Sequence, residues 1–339
     1  MTKEDHKILK GIAVTGMVML HLFCRLGDLP YKPIIWIKET PLIYYLGLFG
    51  DVCVPAFAFL SGYAHYLQYE KEISAYQKNI KKLSKFILNI WIVVCFVSIL
   101  GLFFDTSKLI PGSSFRFIKN LLLIDTYAGA WWYIDIYILL VLCSLSLFKI
   151  VRKNRSILII ILSFGIYAIT YYLRFHEVIH FNYSLLNWVY TKLILFGNTL
   201  FSYLIGMIYR KHTIISKLKN QKKSIRAGLV LLIPVSFAFH CFFQSVSIAP
   251  LNAFILITGI IIVDIPKKIK QIFGFLGIHS TNIWLLHMFC YLYIFPGLVF
   301  KARYPIFIVL LTIGICCIFS VVINYIMSVI RSSVRKENT

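Results

Sequence analysis

The chain has 339 residues, 59% hydrophobic and only 14% charged, yet 35 Lys and Arg face 13 Asp and Glu, for a net charge of +22. A soluble domain carries about a quarter charged residues, so an ordinary soluble enzyme is excluded. A mean hydropathy of +0.80 turns the basic excess away from a nucleic-acid partner.

Crossing a bilayer takes roughly 20 apolar residues. Ten such runs are read along the chain, at 8–26, 42–69, 80–104, 129–151, 155–173, 186–210, 225–243, 247–263, 272–297 and 303–331. They are continuously apolar rather than alternating, which favours helices over barrel strands. The expected fold is therefore all-α: a polytopic integral-membrane helical bundle of about ten transmembrane helices. Residues 1–339 are read as a single transmembrane domain in the cell membrane. The second and last runs exceed one bilayer crossing, which predicts tilt or extension into water. The run Phe117–Ile124 is too short to span and reads as an interfacial or re-entrant piece. The N-terminus resembles a signal peptide in having a basic and then an apolar region. It lacks a small-residue cleavage site, and a retained first helix is expected.

The basic residues sort by loop. With the N-terminus inside, the cytosolic side collects Lys3, Lys7, Lys10, the cluster between 71 and 85, Lys149 to Arg155, Arg210 to Arg226, Lys267 to Lys270 and Arg331 to Lys336. That asymmetry follows the positive-inside rule and places both termini in the cytosol. Anionic membrane lipids are the expected counter-charge. All eight cysteines sit in or beside apolar runs without a C-x-x-C pair and read as small packing residues. No metal site is expected.

Ionisable groups inside a span are costly and are functional candidates by default. In the first helix Lys10 and His21 are eleven residues apart, which is about three turns, on nearly one face and about 16 Å along the axis. A cation at the cytosolic mouth thus stands below an imidazole near mid-membrane. Gly11 and Ala13 would let a neighbouring backbone approach. The alternative is a snorkelling lysine and a histidine satisfied by another helix.

The segment Lys10-Gly11-Ile12-Ala13 with Met17, Met19, Leu20 and His21 resembles the opening motif of membrane acyltransferase family 3, the multi-span O-acyltransferases of cell-surface glycans. Val54-Pro55-Ala56-Phe57-Ala58-Phe59-Leu60-Ser61-Gly62-Tyr63 is similar to its second-helix motif. Trp131-Trp132-Tyr133-Ile134 resembles its aromatic middle stretch. Leu276-Gly277, Ser280 and Ile283-Trp284-Leu285-Leu286-His287 resemble its late motif. The family more often has Arg at Lys10 and Tyr at Trp284.

The resemblance implies an acyl-CoA donor, most often acetyl-CoA, and a polysaccharide or lipid-linked glycan acceptor. Acyl transfer to a hydroxyl needs a base and oxyanion donors. His21 is the expected general base, with an acyl-histidine intermediate as the alternative. Lys10 would hold a phosphate of coenzyme A or fix the first helix against a neighbour. Asp51, near the outer side, would touch the acceptor. Trp132 belongs to the substrate-binding set, and outer aromatics such as it either anchor the interface or stack on sugars. Asp135 would orient a histidine or pair with Lys192. Ser280 would shape the cytosolic vestibule, and His287 is either a site or a core histidine. His65 reads as structural, and Ser61-Gly62 as a close-packing pair. The competing function is a transporter or flippase using intramembrane His and Asp as a proton relay. A cytosolic amine or amino-acid acceptor also stays open.

Overall fold

The first helix begins in polar sequence. Thr2 Oγ1 accepts from the Asp5 backbone N–H at 3.0 Å, and the Asp5 carboxylate accepts from the Thr2 N–H at 2.8 Å. This reciprocal cap satisfies two otherwise orphaned donors, so α1 runs Lys3–Phe23, starting ahead of the apolar run. The computed structural model describes residues 1–27, 29–176, 179 and 181–336. After α1 come α2 (Leu42–Lys71), α3 (Ala75–Phe104), α4 (Gly129–Lys153), α5 (Ser156–His176), α6 (Ser184–Lys211), α7 (Lys223–Phe243), α8 (Val246–Ile262), α9 (Lys267–Ile294) and α10 (Pro305–Lys336). Each overlaps one expected run.

Eight helices, α2 to α7, α9 and α10, are long and apolar enough to cross a membrane. The charged first turns of α1 and the shortness of α8 set those two apart. Among the described residues the only strands are β1 (Trp36–Ile37) and β2 (Thr40–Pro41), a short antiparallel hairpin between α1 and α2. The run Phe117–Ile124 lies in and just beyond a two-turn helix, Ser114–Leu121, too short to span. Trp91 Nε1 donates to the Leu121 carbonyl at 2.9 Å and ties this helix to α3. On the periphery, α5 turns Ile157, Ile161 and Phe164 outward, and α7 turns out Leu231, Val235 and Phe242. Such surface is stable only against hydrocarbon, as in a multi-pass membrane protein.

Close backbone contacts position the interior. A Cβ on Gly11 would lie 2.0 Å from the Phe273 carbonyl oxygen, and one on Gly277 would lie 1.9 Å from that of Lys7. The α1 and α9 backbones therefore touch. A second crossing joins α2 to α6, where a Cβ on Gly62 would sit 1.9 Å from the Tyr203 carbonyl oxygen and one on Gly206 2.0 Å from that of Phe59. Without a hydrophobic drive between helices in lipid, such small-residue contacts carry the association. Buried polar bridges add to it: Asn89 Nδ2 donates to Asn282 Oδ1 at 2.8 Å, and Asn282 Nδ2 donates to Ser320 Oγ at 3.0 Å, linking α3, α9 and α10. All eight cysteines are free, with Cys290 and Cys316 in thiol contact at 3.6 Å.

Candidate active site

The contact of α1 with α9 brings two of the expected site residues together. The rings of His21 and His287 have centroids 5.1 Å apart at an interplanar angle of 40°. His287 is fully buried. Its Nδ1 lies 2.8 Å from the Trp284 carbonyl oxygen, which can only accept, so Nδ1 carries a proton. Nε2 is buried with no hydrogen-bond partner, and in the neutral ring it is a bare lone pair. His21 is anchored through its backbone: Tyr291 Oη donates to the His21 carbonyl at 3.2 Å.

The aromatic stretch of α4 and the late motif of α9 are stitched to each other by reciprocal indole bonds. Trp284 Nε1 donates to the Ala130 carbonyl at 2.9 Å, and Trp131 Nε1 donates to that of Leu285 at 3.0 Å. Indole N–H groups have no acceptor in hydrocarbon, so this pairing fixes Trp284 in place.

Two cavities meet at that tryptophan. One, of about 210 Å³, is lined by Lys10, His6, Lys82, Tyr133 and Ser280 among others. The other, of about 260 Å³, is lined by His21, Asp51, Trp132, Arg174 and Ser202 among others. Met17, Val54 and Trp284 line both and form the partition between them. Lys10 and His21 of one helix therefore serve opposite sides of it.

The Lys10 cavity is cationic at one end and aromatic at the other. Lys82 Nζ donates to Gln68 Oε1 at 3.2 Å and to Asn79 Oδ1 at 3.3 Å, while Lys10 has no hydrogen-bond or ion-pair partner among the described residues. Ser280 is buried, its Oγ donating to the Gly277 carbonyl at 3.0 Å. The Tyr133 hydroxyl is buried without a partner, and its ring lies 5.8 Å from that of Trp284. His65, at the cavity wall, is held by Tyr203, with Nδ1 2.7 Å from its Oη.

In the His21 cavity, Asp51 Oδ2 lies 3.2 Å from His240 Nε2 of α7, too oblique for a hydrogen bond. Both side chains are buried, and both Asp51 oxygens retain hydrogen-bonding capacity. Ser202 also keeps an unpartnered buried hydroxyl. The guanidinium of Arg174 lies 5.2 Å from the Trp132 ring centroid. Asp135 lines neither cavity; it forms an ion pair with Lys192, which settles which partner neutralises its charge. Among the described residues no three His, Cys, Asp or Glu side chains cluster as a metal would require.

Three residues at these cavities stand outside those the sequence singles out: Lys82 lines the first, Arg174 lines the second, and His240 flanks the second behind Asp51. His240 lies inside the seventh apolar run, where the in-span rule that selected His21 applies equally. Lys82 belongs to the basic cluster between 71 and 85, and Arg174 follows the fifth apolar run, where a charge reads as a marker of the membrane boundary.

A family model described as an acyltransferase domain, that of the family 3 acyltransferases, matches residues 7–328. No curated protein and no solved structure matches the chain.

Proposed function

Because the chain belongs to membrane acyltransferase family 3, we propose that it moves an acetyl group from acetyl-CoA to a hydroxyl of a cell-surface or lipid-linked glycan. The observation that carries this reading is the pair of cavities sharing the Met17, Val54 and Trp284 partition, one holding Lys10 and Lys82 and the other His21. The positive-inside rule puts both termini and the Lys10 cavity toward the cytosol, where acyl-CoA is found. The His21 cavity then opens toward the outer face, where a glycan is presented.

The chemistry follows from the groups at hand. Lys10 and Lys82 offer charge to coenzyme A phosphates, leaving the thioester at the partition. His21, as general base, takes the proton of the acceptor hydroxyl. The acceptor oxygen attacks the thioester carbonyl, the C–S bond breaks, and the thiolate leaves with a proton as free coenzyme A while the ester forms. Tyr133, with its buried unpartnered hydroxyl, is the candidate donor to the oxyanion formed on the way.

Each assignment has a measurable consequence. Tyr133→Phe is expected to lower kcat by about a hundredfold or more, as loss of one oxyanion donor does, with little change in the KM for acetyl-CoA. Lys10→Gln is expected to weaken coenzyme A binding to the purified protein by at least about tenfold, since a charge-assisted bond contributes about 1.5–3 kcal/mol, and to leave its thermal unfolding unchanged. The reading as a whole is tested by incubating purified protein with acetyl-CoA labelled in the acetyl group and a glycan acceptor. Label in the glycan as an alkali-labile ester is the expected result. A protein that binds neither coenzyme A nor acetyl-CoA, or a null strain whose surface glycan keeps all its ester while uptake or export fails, would overturn it in favour of a transporter.

A further inference from the structure

The His21 cavity does not end at Trp132. Trp132 and Arg174 also line a third cavity, of about 460 Å³, walled by Leu173 of α5 and by Asn187, Tyr190 and Thr191 of α6. The two side chains thus stand at a junction between the chamber that holds His21 and a larger space beyond it. An acceptor reaching His21 through this junction would be an extended molecule rather than a single small one.

Arg174 is the cation of the junction. Its guanidinium lies 5.2 Å from the ring centroids of both Trp132 and Phe175, which hold it by cation–π attraction. It makes no hydrogen bond or ion pair among the described residues; of the carboxylates on α2 and α4, Asp135 is paired with Lys192, and Asp51 lies 3.2 Å from His240. In the two cavities that it joins, the buried hydroxyls of Tyr190 and Ser202 have no partner. A guanidinium presents planar N–H donors suited to two oxygens of one anion. Its attraction for that anion is stronger in a low-dielectric cavity than in water.

We propose that Arg174 and Trp132 form a subsite for an acidic sugar unit of the acceptor, with the guanidinium pairing to the oxyanion of a carboxylate or phosphate substituent. The subsite rests on the acyltransferase reading of the His21 cavity and adds that the acceptor is an anionic glycan. Neutral glycans of the same ring geometry would reach His21 without this contact and be bound more weakly.

The test uses full-length protein in detergent and three probes: methyl β-glucuronide, glucose 6-phosphate and methyl β-glucoside. Binding is followed by calorimetry, with the quenching of tryptophan emission as a second signal. The wild type should bind at least one of the anionic probes about tenfold or more tightly than the neutral one, equivalent to about 1.4 kcal/mol. Arg174→Gln should erase that preference, and Arg174→Lys should retain part of it, both with unfolding temperatures close to wild type. The tighter of the two anions identifies the substituent as carboxylate or phosphate. Equal binding of all three probes by the wild type, or a preference that survives in Arg174→Gln, overturns the subsite. Acetyl-CoA turnover, measured in parallel, separates the two ideas. Anion preference without acetyl transfer retains the subsite and removes the acyltransferase chemistry. Acetyl transfer without anion preference does the reverse.

Discussion

Replacing His21 by alanine will leave the protein inserted and folded but lower acetyl transfer by about a hundredfold to ten-thousandfold, the span that a positioned acid–base group contributes. The substitution removes a partly buried ring at a cavity wall, and the anchoring bond at this position runs from Tyr291 to the backbone carbonyl, which alanine retains. Coenzyme A binding should be unchanged, because Lys10 and Lys82 lie beyond the partition. Ester formed per mole of protein, together with the elution profile in detergent, checks the prediction. Full ester formation by the variant would remove His21 from the mechanism.

The same experiment extends to His287, for which the proposed mechanism gives a distinct role. Its Nδ1 proton is committed to the Trp284 carbonyl, so only Nε2 is available, and it lies within a ring pair with His21. In the proposed mechanism, where His21 takes the hydroxyl proton, a neutral His287 beside it avoids placing two positive charges in contact. It also offers a lone pair to share the proton. His287→Asn can keep a donor toward Trp284 while losing Nε2. It should therefore hold the fold and still lose activity, whereas a packing role alone would leave activity largely intact.

Most of the fold was legible because its signal is local. Long apolar runs are the direct record of bilayer crossings, and each matched helix differs from its run mainly at polar ends. At 3–8 the helix is started by the Thr2 and Asp5 cap, and at 75–80 it extends through the charged cluster of α3, where hydropathy is silent. The candidate site was legible in its proposed members more than in their arrangement. The spacing of Lys10 and His21 places both on one face of α1, and nothing in that spacing says which helix lies opposite. That information resides in glycines of two segments more than 250 residues apart, which fit each other in three dimensions. The division of Lys10 and His21 between two cavities likewise depends on Trp284, which arrives from α9. Arg174 escaped because sorting charges by side treats a charge at a span end as a topological marker, and its contact with Trp132 crosses from α5 to α4.

That dependence on glycine gives the largest expected effect on stability. At Gly277 an added Cβ would lie 1.9 Å from the Lys7 carbonyl oxygen and 2.7 Å from its carbon. The obstacle is backbone, which no side-chain rotation can relieve, so α1 and α9 would have to separate. Overpacking a well-fitted interior costs about 1–3 kcal/mol and sometimes more, and a helix contact made of backbone falls at the upper end. Separation would also move Lys10 and His21 relative to Ser280, Trp284 and His287, so activity should fall further than stability alone explains. Gly277→Ala is therefore expected to lower the unfolding temperature in detergent by several degrees or more and to abolish acetyl transfer even where folded protein persists. Gly274, one turn earlier on the same helix, has nothing within 4 Å of the position its Cβ would take, and Gly274→Ala should be neutral or slightly stabilising through better helix propensity. Equal behaviour of the two variants would mean that the α1 and α9 contact does not hold the site together. A selective loss at 277, in stability and activity at once, would show that the distance between the first helix and the late motif is what sets the geometry of His21 and His287.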